Sequence, residues 1–164
     1  MKKLLVIGAG GHGKVVAEIA EAVGYEAVAF LDDNRAEAIG KTAEVGKFKE
    51  EYSEAFVGIG NNKVRAEWLQ KLRQCGYAIP TLVHPSAYVS KTAAIGMGTV
   101  VEPKAIVNAN SQIAEGCIIS VGAIVDHDVH IGAYCHVNAG AIVKAGAEVE
   151  KYRKLDAGEV ECGY

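Results

Sequence analysis

Two parts of the sequence carry residues that could do chemistry. In the C-terminal half, His127 and Asp128 are adjacent, and His136 follows nine residues after His127. A histidine exchanges a proton near neutral pH, and a neighbouring carboxylate can orient or stabilise its protonated ring. These three residues are therefore candidates for proton-transfer chemistry.

The second part is a glycine loop near the N-terminus. The segment GAGGHG at 8–13 matches the pattern G-x-G-x-x-G between a predicted strand and a predicted helix. Glycine lets the backbone approach a phosphate, and a helix start offers free N–H groups. Asp32 and Asp33 follow about 20 residues later, where a carboxylate can accept hydrogen bonds from a ribose hydroxyl. The pattern predicts a nucleotide site, although by itself it also fits NAD or a turn that serves only strand–helix packing.

The elements that position this loop alternate between strand and helix patterns over residues 1–80. We predict strands at Leu4–Ile7, Ala27–Leu31 and Phe56–Ile59, one helix after the glycine loop that stops near Gly24, and another between Asn62 and Gly76. This order predicts parallel βαβ units, and so a Rossmann-like α/β domain with a parallel sheet. The domain has roughly half the length of a dinucleotide-binding fold, so a mononucleotide fits it better than NAD.

The elements that position the histidines follow a different rule, a period of six over residues 81–164. Aliphatic residues recur without interruption at Val83, Val89, Ile95, Val101, Val107, Ile113, Ile119, Val125, Ile131, Val137, Val143, Val149 and Leu155. Four places after almost every one stands a small residue. This hexapeptide pattern predicts a parallel β-helix in which residues 18 apart stack on neighbouring coils. His127 then points outward, with the small residues Ala109 and Ala145 on the coils either side of it.

Composition excludes several classes of function. The 164 residues carry a net charge of −3, so we expect no nucleic-acid partner. No apolar run of about 18 residues is present, so we expect no membrane span. The apolar stretch at the N-terminus is too short for a signal peptide, so we expect a cytoplasmic location. The four cysteines form no CxxC pair and have no metal-ligand spacing, so in the cytoplasm we expect reduced thiols.

Four motifs together resemble one family. They are GAGGHGKV at 8–15, FLDDN at 30–34, IGNN-x-x-R at 59–65 and HPSA at 84–87, followed by the hexapeptide repeats. This combination is similar to the PglD/NeuD-type sugar acetyltransferases, which include nucleotide-sugar N-acetyltransferases and sialic acid O-acetyltransferases. The resemblance implies a left-handed β-helix, a homotrimer, acetyl-CoA as the donor and a sugar nucleotide bound by the N-terminal domain.

The resemblance also implies roles for individual residues. In the substrate pocket, the phosphates and sugar are expected at Gly10, Gly11, His12 and Gly13, the nucleoside at Asp32 and Asp33, and the rest of the pocket at Gly60 and Asn61. His127 matches the family's general base, with Asp128 in a place where many members have Glu. His136 matches a histidine that contacts the acetyl group or the acceptor. Contacts with acetyl-CoA are expected at Ala145 and Gly146.

The spacing of the histidines in the β-helix does not favour a metal site. Three histidines on a β-helix also resemble the zinc site of γ-class carbonic anhydrase, whose ligands come from different coils. Here His127, His130 and His136 lie within ten residues, and no histidine stands 18 residues before or after any of them. We therefore predict no metal, and interpret His84 and His130 as structural.

We predict an enzyme that moves acetyl from acetyl-CoA to the amino group of a UDP-linked amino sugar. A sialic acid O-acetyltransferase is the first alternative. The second arises because the sequence departs from the family after Gly146, where charged residues replace the family's later coils and its G-x-P-A segment. Those coils help to hold the cofactor, so a shortened, catalytically inactive protein that binds only the sugar nucleotide also fits.

Overall fold

In the computed structural model, which describes residues 2–164, the first apolar run becomes the central strand of a three-stranded parallel sheet. The sheet order is β2-β1-β3, and β1 is completely buried from Leu4 to Ile7. The elements of this unit are β1 Lys3–Ile7, α1 Gly11–Ala22, β2 Ala27–Leu31, a 3₁₀ helix Thr42–Phe48, β3 Glu54–Val57 and α2 Asn62–Gln74. The expected α/β unit with a parallel sheet is confirmed.

The third strand differs from its prediction by two residues. It runs over Glu54–Val57 instead of Phe56–Ile59. The strand ends before Gly58 because the chain there packs against the glycine loop, and a Cβ built on Gly58 would lie 2.7 Å from the Cα of Gly13. The apolar residue Ile59 therefore belongs to a loop.

A parallel β-helix occupies the second compact unit, which runs from Val83 to Tyr164, whereas the first unit ends at Leu82. Its strands are β4 Leu82–Val83, β5 Tyr88–Val89, β6 Ala94–Ile95, β7 Val100–Val101, β8 Ile106–Val107, β9 Gln112–Ile113, β10 Ile118–Ile119, β11 Ile124–Val125, β12 His130–Ile131, β13 His136–Val137, β14 Ile142–Val143, β15 Glu148–Val149, β16 Lys154–Leu155 and β17 Val160–Glu161. They form three flat faces. The first face contains β4, β7, β10, β13 and β16, the second contains β5, β8, β11, β14 and β17, and the third contains β6, β9, β12 and β15.

The period of six places the core of this unit as predicted. Ladder partners are 18 residues apart, as in the pairing of Ile119 with Val137. The aliphatic residues of the repeat point inward and pack with the small residues, which include Cys117 and Cys135, into one buried cluster. Both of these cysteines are free thiols. No helix within residues 2–164 is long and apolar enough to cross a membrane.

Candidate active site

His127 lies in the corner between the second and third faces of the β-helix. β11 ends at Val125 and β12 begins at His130, so the intervening residues make a turn at the edge of the prism. Two backbone hydrogen bonds fix this corner to its neighbours, from the Asp128 N–H to the Ala109 carbonyl (2.9 Å) and from the Gly146 N–H to the His127 carbonyl (3.1 Å). The small residues expected on either side of His127 are therefore where the repeat placed them, and its side chain is 46% exposed.

The imidazole of His127 and the carboxylate of Asp128 form a hydrogen-bonded pair. Nδ1 of the ring is 2.7 Å from Oδ2 of the carboxylate. An ionised carboxylate only accepts hydrogen bonds, so Nδ1 donates and the lone pair of the neutral ring lies on Nε2. This hydrogen bond, assisted by the charge of Asp126, raises the pKa of His127 above its ordinary value. The Asp128 side chain reaches the ring although it is one methylene shorter than glutamate.

His136 occupies a different part of the coil. It begins β13 on the first face, and its Nε2 is 3.0 Å from the hydroxyl of the buried Ser120. His127 stands at the corner of the second and third faces, so the two histidines belong to different sides of the prism. The structure therefore brings His127 together with Asp128 but places His136 elsewhere on the chain.

Two buried polar residues were missed from the sequence: Ser120, which contacts His136, and Glu102. Ser120 and Glu102 are 5% and 7% exposed and are stacked one coil apart. The Glu102 carboxylate accepts a hydrogen bond from the Val121 N–H (2.9 Å), and burial raises the pKa of this carboxyl group. The 18-residue spacing between Glu102 and Ser120 was the signal that could have found the pair.

Ala145 and Gly146 lie in the corner directly next to His127. They follow β14 on the coil after the His127 corner, and the Gly146 N–H donates to the His127 carbonyl. Gly146 has a φ of +71°, the left-handed conformation that favours glycine. The two residues expected to contact acetyl-CoA are thus adjacent to the candidate base.

The glycines of the first unit fall into two groups. Gly8 has a φ of +97°, and a Cβ built on Gly13 would overlap the Gly8 carbonyl oxygen, so this loop packs too tightly for side chains. By contrast, a Cβ on Gly10, Gly11 or Gly60 would meet no atom within 4 Å. Packing does not require glycine at these three positions, whereas a ligand that approaches the backbone closely would.

The carboxylates predicted to face a nucleoside are engaged with the backbone. Asp32 accepts hydrogen bonds from the N–H groups of Ala9 (2.9 Å) and Asn34 (2.8 Å), which lower its pKa. Asp33 accepts from the N–H of Thr42 (2.9 Å), at the start of the 3₁₀ helix. Asp32 therefore holds the glycine loop against the end of β2.

The remaining predicted pocket residues lie at the starts of the two helices. His12 is the second residue of α1, and Asn61 caps α2 by accepting from the Lys63 and Val64 N–H groups, both at 3.1 Å. Arg65, the arginine of the IGNN-x-x-R motif, was not predicted as a site residue. It is 1% exposed, and its guanidinium donates to the Gly60 carbonyl (3.0 Å). Arg65 therefore fixes the loop that carries Gly60.

Comparison with known proteins places this geometry in a family. A family model described as the PglD N-terminal domain matches residues 3–72. Over the whole fold, the chain resembles the acetyltransferase domain of PglB from Neisseria gonorrhoeae FA1090, with a TM-score of 0.95 and 37% identity. That match covers 99% of this chain and 83% of the other. The chain belongs to the PglD/NeuD-type sugar acetyltransferases.

Two further relatives of this family differ in nucleotide. Perosamine N-acetyltransferase from Caulobacter crescentus, solved in complex with CoA and GDP-perosamine, has a TM-score of 0.89 and 31% identity over 99% of this chain and 90% of its own. UDP-N-acetylbacillosamine N-acetyltransferase from Bacillus subtilis (strain 168) is 34% identical over 114 residues, which are 60% of this chain. The match spans half the length of that Bacillus protein.

Proposed function

We propose that this chain transfers acetyl from acetyl-CoA to the amino group of a nucleotide-linked sugar. The observation that carries the proposal is the His127–Asp128 pair at 2.7 Å, with Nε2 left to accept a proton and small residues on both neighbouring coils. The relatives support the donor, because the PglB domain has also been solved in complex with acetyl coenzyme A. They support amine chemistry as well, since the Caulobacter and Bacillus relatives are named N-acetyltransferases.

The proposed reaction is a direct transfer with no covalent enzyme intermediate. The sugar amine attacks the thioester carbonyl while Nε2 of His127 takes a proton from the nitrogen. A C–N bond forms, the C–S bond breaks, and the proton passes from His127 to the departing CoA thiolate. Asp128 stabilises the imidazolium, and His136 is proposed to contact the acyl group. Ala145 and Gly146 are proposed to lie along acetyl-CoA, because their corner adjoins that of His127.

The proposed acceptor site is the glycine loop of the first unit. Gly10 and Gly11 leave open space above the start of α1, where no side chain caps the helix, so backbone N–H groups and positive dipole character are available to phosphates. Gly60 opens the neighbouring loop in the same way. We propose a UDP-sugar, with His12, Gly13, Asp32, Asp33 and Asn61 completing the pocket.

A transfer assay tests this proposal. The chain is incubated with acetyl-CoA and UDP- or GDP-linked 4-amino sugars or free sialic acid, and release of CoA thiol and the acetylated product are both measured. We expect an N-acetylated UDP-sugar. O-acetylated sialic acid would replace the proposal with the first alternative, and tight sugar-nucleotide binding without turnover would indicate an inactive binding protein.

We further propose that the chain is a homotrimer. The outward side chains of the second face are all apolar and stack in one column: Tyr88, Ile106, Ile124, Ile142 and Val160. Tyr88 is 58% exposed and Val160 47%, so in a single chain this column faces solvent. A neighbouring chain on this face would lie beside the His127 corner and could supply His136. Light scattering that gives 17.3 kDa, the mass of one chain, at micromolar concentration would contradict the trimer.

The cytoplasmic location stays a prediction from the sequence.

A further inference from the structure

The carboxylate of Asp128 is held from two sides. One oxygen, Oδ2, accepts from the His127 ring at 2.7 Å, and the other, Oδ1, accepts from the side-chain amide of Asn110 at 3.1 Å. Asn110 stands 18 residues before Asp128, at the same corner of the preceding coil. The three side chains therefore form one chain of hydrogen bonds that crosses two coils.

The backbone of Asn110 is itself fixed. Asn110 and Asp128 have φ values of 60° and 57°, the left-handed conformation that asparagine and aspartate tolerate better than most residues. The Asn110 N–H donates to the Thr92 hydroxyl of the coil before (3.0 Å). The amide that reaches Asp128 is thus mounted on an anchored turn.

This anchoring matters because the pair is exposed. The side chains of His127 and Asp128 are 46% and 48% exposed, so water competes with the ring for the carboxylate. Without the hydrogen bond from Asn110, the Asp128 side chain could adopt other rotamers. The hydrogen bonds from His127 and Asn110 both lower the pKa of Asp128, which keeps it an anion that can only accept. A carboxylate tied at Oδ1 presents Oδ2 to Nδ1 of the ring.

We propose that Asn110 is a positioning residue, which holds Asp128 in the rotamer that keeps the proton of neutral His127 on Nδ1 and the lone pair on Nε2. The proposal rests on the proposed function, in which His127 is the base. It extends that function because Asn110 acts on His127 through the carboxylate of Asp128.

The test uses Asn110→Gly in the full chain. Glycine removes the amide but accepts the left-handed backbone without strain. With ¹⁵N-labelled histidine, we expect the His127 ring in the unchanged protein to show mainly the Nδ1–H tautomer above its pKa. In the variant we expect a mixture of tautomers and a kcat that falls by about tenfold, less than loss of the base itself.

The same coil offers a matched control, Lys104→Gly. Lys104 has the same φ of 60°, and its N–H also donates to a hydroxyl one coil earlier, that of Ser86 at 3.2 Å. We expect this variant to leave the His127 tautomer unchanged. A second variant, Asn110→Asp, keeps the shape and the anchored N–H but replaces the donor with a repelling carboxylate, and should also give mixed tautomers.

The outcomes separate the two levels of the proposal. An unchanged tautomer in both Asn110 variants overturns the positioning role, as does an equal change in Lys104→Gly, which would mean general loosening of the coil. Mixed tautomers in the Asn110 variants with undiminished kcat would support the positioning role of Asn110. The same result would contradict the proposed function, because the tautomer of His127 would not affect turnover.

Discussion

Replacement of His127 by alanine should reduce kcat for acetyl transfer by about 10²–10⁴-fold, the usual loss on removal of a general base. Affinity for the sugar nucleotide should not change, because the glycine loop that is proposed to bind it belongs to the first unit. Steady-state kinetics combined with a calorimetric titration of the nucleotide sugar measures both quantities.

His130→Ala is the matched control for this variant. His130 stands three residues later and also pairs with a carboxylate, since its Nδ1 is 3.3 Å from Oε1 of Glu148. It begins β12 on the third face, where no catalytic role is assigned, so we expect kcat to stay within about twofold. Loss of turnover in His130→Ala that equals the loss in His127→Ala would contradict the assigned base.

The pH dependence of the same reaction should report the Asp128 contact. A base must be unprotonated, so kcat/KM falls as the pH drops through the pKa of His127, which Asp128 holds above its ordinary value. Asp128→Asn removes the charge that favours the imidazolium, so the inflection should move to lower pH. An inflection that does not move would show that another group controls the rate.

The second large effect is expected in the glycine loop, where two neighbouring glycines should behave in opposite ways. At Gly11 a side chain meets open space, so Gly11→Val should fold but block the approach of phosphates to the backbone. A steric clash of about 1–3 kcal/mol corresponds to roughly fivefold to 150-fold weaker binding. At Gly13 the added Cβ would overlap the Gly8 carbonyl, so Gly13→Ala should lower the free energy of unfolding instead.

Thermal unfolding and nucleotide titration of both variants distinguish these effects. We expect Gly11→Val to keep the melting temperature of the unchanged chain and to lose affinity, and Gly13→Ala to melt earlier. If Gly11→Val bound the UDP-sugar normally, the ligand would lie elsewhere. If the unchanged chain bound NAD and not the UDP-sugar, the first unit would be a dinucleotide site.

The fold could be predicted from the sequence because each unit has one dominant period. In the β-helix the inward positions are shielded from water, where an unpaired charge is costly, so every sixth residue is aliphatic. The position of His127 then follows from counting. The shorter third strand could not be predicted in the same way. Phe56 and Ile59 look equally strand-like in the sequence, and only the close packing of Gly58 on Gly13 ends the strand at Val57.

The residues of the candidate site could be named from the sequence, but most of their hydrogen bonds could not be predicted. His127 and Asp128 are adjacent in sequence, so their pairing could be anticipated, whereas the hydrogen bond from Asn110 depends on which rotamer each side chain adopts one coil away. Asp32 illustrates a second limit. A carboxylate at the end of β2 suits a ribose, yet in the structure it accepts from the N–H groups of Ala9 and Asn34, a role with no sequence signature.

The 18-residue ladder makes the β-helix extendable in whole coils. Because each strand pairs only with residues 18 positions before and after it, a duplication of 18 residues at a corner keeps every inward side chain inward, whereas a single inserted residue inside a strand does not. Gene duplication can therefore lengthen such a protein without redesigning its core. The link between Asn110 and Asp128 limits where this can happen, because a coil inserted between them would give Asp128 a different neighbour. Insertion of a coil into the prism is thus constrained where the histidine pair stands.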